Sequence, residues 1–152
     1  MTLLKLAPKP IQGRVDQAKN PMEPVSLPSA DFVPSGRYCR VSGWGRLKSG
    51  GFEKPHILQV VDVLVPTNKV CGEMMPNSLP WDEKNDSMIC AGGADKDACQ
   101  GDSGGPMVCE DDSGAKFISG IVSWGVGCAT EGVPGVYTNV QKYSRWIEKH
   151  IQ

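Results

Sequence analysis

Short apolar runs alternate with turn residues from residue 37 onward. They predict six strands, at residues 37–42, 58–65, 87–91, 106–109, 117–124 and 135–139. The runs are rich in β-branched residues, which favours an antiparallel barrel or sandwich. Residues 2–6 could form one more short strand, ahead of a proline-rich stretch.

The last residues follow a different period. Val140, Tyr143, Ile147 and Ile151 recur at steps of three and four, which predicts an amphipathic helix of about three turns. Asn139 precedes this helix as a candidate N-cap. We expect its apolar stripe to pack on the barrel rather than to recruit a partner.

Residues 7–35 contain six prolines and little apolar periodicity. This composition predicts an extended crossover segment, and the alternative is a disordered tail. Four apolar residues favour the crossover, because they could lie along a surface: Val25, Leu27, Phe32 and Val33.

Composition narrows the class of protein. The chain has 152 residues, enough for one domain with a core, and a net charge of −1. That charge argues against a nucleic-acid or anionic-membrane partner, and no apolar run approaches the ~20 residues that span a bilayer.

Six cysteines predict three disulfides in an oxidising compartment, although their spacing leaves the pairing open. Residues 1–11 lack the features of a signal peptide, so we expect the native N-terminus to precede this chain.

The segment from Asp97 to Pro106 carries the chemistry. It reads Asp-Ala-Cys-Gln-Gly-Asp-Ser-Gly-Gly-Pro, with Ser103 as a candidate nucleophile. Glycines on both sides of Ser103 allow backbone N–H groups to turn toward one point, as an oxyanion requires. The alternative, an ordinary Gly/Ser-rich loop, is disfavoured by the flanking Cys99, Cys109 and Asp97.

With this segment, the chain resembles the trypsin/chymotrypsin family of serine endopeptidases. The resemblance runs from Cys39 to Ile151 through five ordered motifs. These are Ser42-Gly-Trp-Gly45, Met88-Ile-Cys-Ala-Gly92, Gly101-Asp-Ser-Gly-Gly-Pro106, Ser123-Trp-Gly125 and Pro134-Gly-Val-Tyr-Thr138, followed by the terminal helix.

The resemblance implies an all-β fold: the second antiparallel, six-stranded Greek-key barrel of a two-barrel domain, with a C-terminal α-helix. Residues 1–36 would be a remnant of the first barrel and the crossover, and residues 37–152 the second barrel. The implied disulfides are Cys39–Cys109, Cys71–Cys90 and Cys99–Cys128.

It also implies roles for single residues. Ser103 would be the nucleophile, and the N–H groups of Gly101 and Ser103 the oxyanion hole. Asp97 would form the floor of the specificity pocket and select arginine or lysine in polypeptide substrates. The other implied substrate-binding residues are Ala98, whose lack of a hydroxyl favours arginine, Gln100, Ser123, Trp124, Gly125 and Gly135. Asp102 would bind the α-amino group that activation cleavage creates. No cofactor or metal is implied, and the resemblance together with the predicted disulfides implies a secreted, extracellular protein.

The histidine and aspartate of a catalytic triad are not found. The two histidines, His56 and His150, lie outside the family's motif for the base, so we expect the chain alone to be inactive. Three explanations are open: a fragment, one chain of a cleaved protease whose N-terminal partner supplies both residues, or a short homologue that binds without cleaving. The intact nucleophile and pocket floor favour the fragment. The role of residues 72–86 is left open.

Overall fold

The computed structural model describes residues 2–5, 24–79, 81–93 and 96–151. These residues form six strands and two helices. The strands are β1 (Tyr38–Gly43), β2 (Gln59–Leu64), β3 (Met88–Ala91), β4 (Pro106–Glu110), β5 (Lys116–Trp124) and β6 (Gly135–Asn139). The helices are α1 (Asn68–Met74), between β2 and β3, and α2 (Val140–His150), after β6. Every predicted strand is present, with each end within one residue of its predicted position.

All strand pairs in the sheet are antiparallel, in the order β2-β1-β4-β5-β6-β3. Strands β4, β5 and β6 are consecutive neighbours and β3 lies beside β6, which is a Greek-key order. The two outer strands approach each other where Gly92 N donates to Leu64 O at 2.9 Å. The predicted all-β, six-stranded antiparallel fold with a C-terminal helix is confirmed.

The core lies on one face of the sheet because side chains alternate along each strand. On β1, Cys39 and Val41 are buried while Tyr38 and Arg40 are exposed. The buried cluster also takes in Val63, Val65, Ile89, Ala91, Met107, Cys109, Val122 and Tyr137. This packed face fixes the positions of the strand ends from which the candidate site is built.

Helix α1 was not predicted, since the sequence pattern indicates no helix or strand between residues 65 and 87. Thr67 caps the helix by accepting a hydrogen bond from Val70 N at 3.4 Å. Cys71 on this short helix is buried and joined to Cys90 of β3, and Trp81 Nε1 donates to Asn68 O at 3.3 Å. Tertiary contacts therefore stabilise a helix whose own apolar pattern is too short to detect.

Helix α2 spans eleven residues, the three turns that were predicted. Val140 and Ile147 are buried against the sheet, but Ile151 is 63% exposed, so the packed stripe is shorter than expected. Asn139 occupies the N-cap position without a capping hydrogen bond. Its Nδ2 instead donates to Asp86 O at 2.8 Å, which holds the turn before β3 against the start of the helix.

The crossover segment packs from residue 24 onward. Phe32 is buried and lies 5.0 Å from the ring of Phe117, and Ile118 N donates to Ser26 O at 3.0 Å. Val25 and Val33 are exposed, so the burial expected of the apolar residues holds chiefly for Phe32. The alternative prediction of a disordered tail is therefore wrong for residues 24–36. Residues 7–23 lie outside the described residues. Residues 2–5 form no strand, and Leu6 also lies outside the described residues.

Candidate active site

Two successive tight turns present Ser103. Asp102 N donates to Cys99 O at 2.9 Å and Gly105 N donates to Asp102 O at 2.8 Å. The backbone enters the left-handed region at Gly101 (φ +103°) and Gly104 (φ +82°), where a side chain would be strained. The glycines around the serine are therefore required by the turns themselves.

The turns are fastened to β5. Gly104 N donates to Val122 O and Val122 N donates to Gly105 O, both at 2.9 Å. Ser103 itself is exposed. Within the described part of the chain, neither Gly101 N–H nor Ser103 N–H donates a hydrogen bond to a protein acceptor. Two free donors thus flank an exposed hydroxyl on a rigid support.

Lys54 is a neighbour of this turn that the sequence did not identify. A β-carbon built on Gly101 would lie 3.7 Å from Lys54 Nζ and 3.3 Å from Gly45 Cα. Arg46 N also donates to Gln100 O at 3.0 Å, which ties the loop after β1 to the nucleophile segment. This loop therefore borders the free donors on one side.

A cavity of about 230 Å³ opens beside Ser103. The residues predicted to bind substrate all line it: Asp97, Ala98, Gln100, Ser123, Trp124, Gly125 and Gly135. The lining also includes Val122 and Gly127, which the sequence did not single out, and Val136 and Tyr137, which it identified only as part of the motif Pro134-Gly-Val-Tyr-Thr138. Residues more than 35 positions apart in the chain are thus brought to one concave surface.

Asp97 is the half-buried charged group of this cavity. Its Oδ1 accepts a hydrogen bond from Ala98 N at 2.7 Å, and its Oδ2 accepts one from Ala129 N at 3.2 Å. Burial raises the pKa of the carboxyl, and the two N–H donors partly oppose that rise. No lysine, arginine or histidine of the described residues forms an ion pair with it.

Two glycines keep the space above this carboxylate open. A β-carbon on Gly135 would lie 2.5 Å from Asp97 Oδ1, closer than van der Waals contact allows. A β-carbon on Gly125 would make only ordinary contacts, with Gly135 Cα at 3.7 Å and Gly127 O at 4.0 Å. Gly135 is therefore required by the position of Asp97, whereas Gly125 chiefly leaves the cavity wide.

Tyr137 on β6 closes the inner end of the cavity. Its hydroxyl is buried and has no hydrogen-bond partner among the described residues. Burial raises the pKa of this phenol well above its ordinary value, and the charge of Asp97 raises it further. Tyr137 belongs to the motif Pro134-Gly-Val-Tyr-Thr138, but the sequence assigned it no role of its own, because the residues around it follow an ordinary buried-strand pattern.

Three disulfides are formed, Cys39–Cys109, Cys71–Cys90 and Cys99–Cys128, which is the pairing that the resemblance implies. Cys99–Cys128 joins the segment carrying Asp97 to the loop after β5. Both of its cysteines are half-buried, whereas the other four are buried. This bond holds the two walls of the cavity together.

Asp102 faces a second cavity, of about 190 Å³. Its Oδ1 accepts a hydrogen bond from Gly45 N at 2.7 Å, and its Oδ2 accepts one from Cys99 N at 2.9 Å. Apolar side chains of β1 and β2, Val41, Val60 and Val61, contribute to the lining. The carboxylate has no cationic partner among the described residues.

Neither histidine lines the cavity beside Ser103. His56 is exposed in the loop before β2. His150 lies on the last turn of α2, with Nδ1 2.7 Å from Trp146 O and its ring packed on the Trp146 ring at 4.6 Å. The structure therefore brings no histidine of this chain to the serine.

Comparison with known proteins agrees with this geometry. The family model described as Trypsin matches residues 1–147. The chain is 44% identical to rat transmembrane protease serine 9 over 84% of this chain and 12% of that protein. It is 41% identical to chicken trypsin II-P29, over 86% of this chain and 49% of that protein. It is 45% identical to rat serine protease 1, over 84% of this chain and 48% of that protein.

The chain therefore belongs to the trypsin family of serine proteases, which are hydrolases that act on polypeptides. It spans about half the length of the two latter relatives. Three disulfides and these relatives fit an extracellular protein. Within the described part of the chain, neither helix has the length and apolar character needed to cross a membrane.

Proposed function

We propose that this site serves a serine endopeptidase that is secreted and cleaves polypeptides after arginine or lysine. The observation that carries the proposal is Asp97, a half-buried carboxylate without a cationic partner among the described residues, in the cavity that Ser103 also lines. The proposal assigns this cavity to the side chain that precedes the cleaved bond.

The electrostatics support a basic side chain. A carboxylate that is partly removed from water without a cation is destabilised, which is why its pKa is raised. An entering guanidinium or ammonium group supplies the missing charge and hydrogen-bond donors. Ala98 offers no hydroxyl beside the carboxylate, so a bidentate guanidinium is expected to be favoured over a lysine ammonium.

The arrangement around Ser103 suits acyl transfer. In this proposal Ser103 Oγ attacks the substrate carbonyl carbon, and the amine product leaves as an acyl-enzyme forms, which water then hydrolyses. In this proposal the N–H groups of Gly101 and Ser103, which have no acceptor among the described residues, receive the oxyanion. The free edge of residues 123–125, beyond the last pairing of β5 with β4, could accept the substrate backbone as an added strand.

Asp102 would act on the site indirectly. We assign its cavity to a newly formed α-amino group, because two backbone donors hold the carboxylate in a partly apolar cavity and no cation of the described residues pairs with it. The adjacent hydrogen bond from Cys99 N links this carboxylate to the segment that carries the oxyanion donors. An ion pair there would stabilise that segment.

Removal of the proton from Ser103 needs a base, and neither histidine of this chain lies in the cavity. We therefore propose that the 152-residue chain binds basic side chains but leaves Ser103 unactivated, and that a partner segment bearing histidine and aspartate completes the site. Loss of a triad member lowers turnover by about 10⁴-fold or more.

Binding of benzamidine, a cationic arginine analogue, tests the pocket. Purified chain should bind benzamidine in calorimetry, and D97N should weaken binding by at least about tenfold, because the charge partner is lost. D31N is the matched control, since Asp31 is exposed and lies outside the cavity. Equal affinity of wild type and D97N would refute the assignment of the pocket.

Hydrolysis of an arginine p-nitroanilide tests activation separately. The chain alone should hydrolyse the substrate no faster than S103A does. A complex of the chain with a histidine-bearing partner segment should hydrolyse it faster than S103A in the same assay. Ser103-dependent hydrolysis by the chain alone would contradict the proposed need for that segment.

A further inference from the structure

The turn before β3 contains a motif that the protease chemistry does not use. Asn85-Asp86-Ser87 has the form Asn-X-Ser/Thr with X other than proline, and it is the only such triplet in the chain. This is the acceptor motif for N-linked glycans, which attach to exposed loops of proteins in the secretory pathway.

The geometry of Asn85 presents the reactive atom. Asn85 is exposed, and its Oδ1 accepts a hydrogen bond from Ser87 N at 3.0 Å. A backbone N–H can face only the amide oxygen, so this bond also fixes which side-chain atom is Nδ2. Asn85 Nδ2 donates to no acceptor among the described residues, so the amide nitrogen that would carry a glycan is free.

The two residues that follow are anchored, which leaves Asn85 protruding. The Asp86 carboxylate pairs with Lys142 Nζ at 2.7 Å, and Asp86 O accepts a hydrogen bond from Asn139 Nδ2 at 2.8 Å. Ser87 O accepts a hydrogen bond from Asn139 N at 2.9 Å. None of the three motif residues lines the cavities beside Ser103 and Asp102. A glycan on Asn85 therefore fits the folded protein and leaves the candidate active site open.

We propose that Asn85 is N-glycosylated during secretion. The donor is a polyprenyl-diphosphate-linked oligosaccharide, and a membrane transferase supplies the base. A bond forms between Asn85 Nδ2 and C1 of N-acetylglucosamine as the bond from C1 to the diphosphate oxygen breaks. The electron pair leaves with the polyprenyl diphosphate, and the Nδ2 proton passes to the transferase. The three disulfides support entry into the compartment where this transfer occurs.

The test is expression of the full coding sequence through the secretory pathway of animal cells. Peptide-N-glycosidase should remove one glycan from the secreted protein and convert Asn85 to aspartate, as seen by peptide mass. Removal of the glycan should also change the mobility of the protein in gel electrophoresis. N85Q and S87A should lose this mobility shift, and S87T should retain it. S87A keeps the turn, because the donor to Asn85 Oδ1 is the backbone N–H of residue 87.

N77Q is the matched control, because Asn77 is exposed and Asn77-Ser78-Leu79 lacks the motif. It should keep the wild-type shift. Unmodified Asn85 in disulfide-bonded secreted wild type and S87T would overturn the proposal, as would a glycan shift that persists in N85Q. Neither readout needs peptide hydrolysis. Failure of this inference is therefore distinguishable from failure of the proposed protease activity.

Discussion

Replacement of Gly135 by alanine should damage the cavity more than the small change in volume suggests. The new methyl group would lie 2.5 Å from Asp97 Oδ1, 3.4 Å from Asp97 Cγ and 3.5 Å from Tyr137 Cε2. The carboxylate cannot move away freely, because Ala98 N and Ala129 N hold its two oxygens. Either those hydrogen bonds lengthen or strand β6 shifts.

The cost follows from the environment of the clash. Overpacking a well-packed site costs about 1–3 kcal/mol, and weakening hydrogen bonds to a charged group costs a comparable amount. We expect G135A to lose about 1–3 kcal/mol of unfolding free energy, which is a fall of about 0.5–1.5 M in the urea midpoint. Benzamidine affinity should fall at least about tenfold, because the carboxylate is displaced.

G125A is the matched control for stability, because its methyl group would make only ordinary contacts, with Gly135 Cα at 3.7 Å and Gly127 O at 4.0 Å. Its free energy of unfolding should lie within about 0.5 kcal/mol of wild type. Urea unfolding followed by tryptophan fluorescence, with calorimetry for benzamidine, measures both quantities. If G135A matched G125A in stability and wild type in benzamidine affinity, the reasoning that Gly135 is required by Asp97 would be wrong.

Further outcomes are expected for three residues, Asp97, Tyr137 and Gln141. Benzamidine binds the ionised form of Asp97, whose pKa is raised by burial, so the Kd should rise on acidification at a pH above the ordinary carboxyl range near ~4. By the same linkage, the contribution of Asp97 to the stability of the free protein is greatest at low pH and is lost as pH rises through the raised pKa. Y137F should keep or gain about 1 kcal/mol of stability, because the hydroxyl that it removes is buried without a partner among the described residues. Q141A should lose about 1–2 kcal/mol of unfolding free energy. The reason is that Gln141 Nε2 lies within 2.9 Å of three carbonyl oxygens in the turn at residues 29–32.

Each outcome has its own control. D97N should show no acid-dependent loss of benzamidine affinity between pH 7 and pH 4. A loss of more than about 1 kcal/mol in Y137F would mean that the phenol has a partner. K149A, at an exposed position of the same helix as Gln141, should be neutral, and a neutral Q141A would show that the crossover does not depend on these bonds.

Local patterns were sufficient for most of the fold. Strands with alternating burial, such as β1, and the helix stripe on Val140 and Ile147 follow from periodicity, since each needs only one apolar face. Helix α1 escaped prediction because seven residues contain too little pattern, and its stability comes from the Cys71–Cys90 bond and Trp81. Asn139 shows the same limit at a helix cap, because its side chain donates to the carbonyl oxygen of Asp86 instead of capping the helix.

The amino-acid sequence by itself determined the family motifs and the glycine-rich turns around Ser103, because these depend on local backbone conformation and chemistry. The resemblance that the motifs carry then indicated the predicted substrate-binding residues that line the cavity. Only the tertiary structure decided how those residues act on one another. In the structure Ala129 N donates to Asp97, and the Tyr137 hydroxyl of the same cavity has no partner among the described residues. Neither histidine lines the cavity beside Ser103. Burial and charge separation depend on chain segments that are distant in sequence, so spacing alone does not contain them.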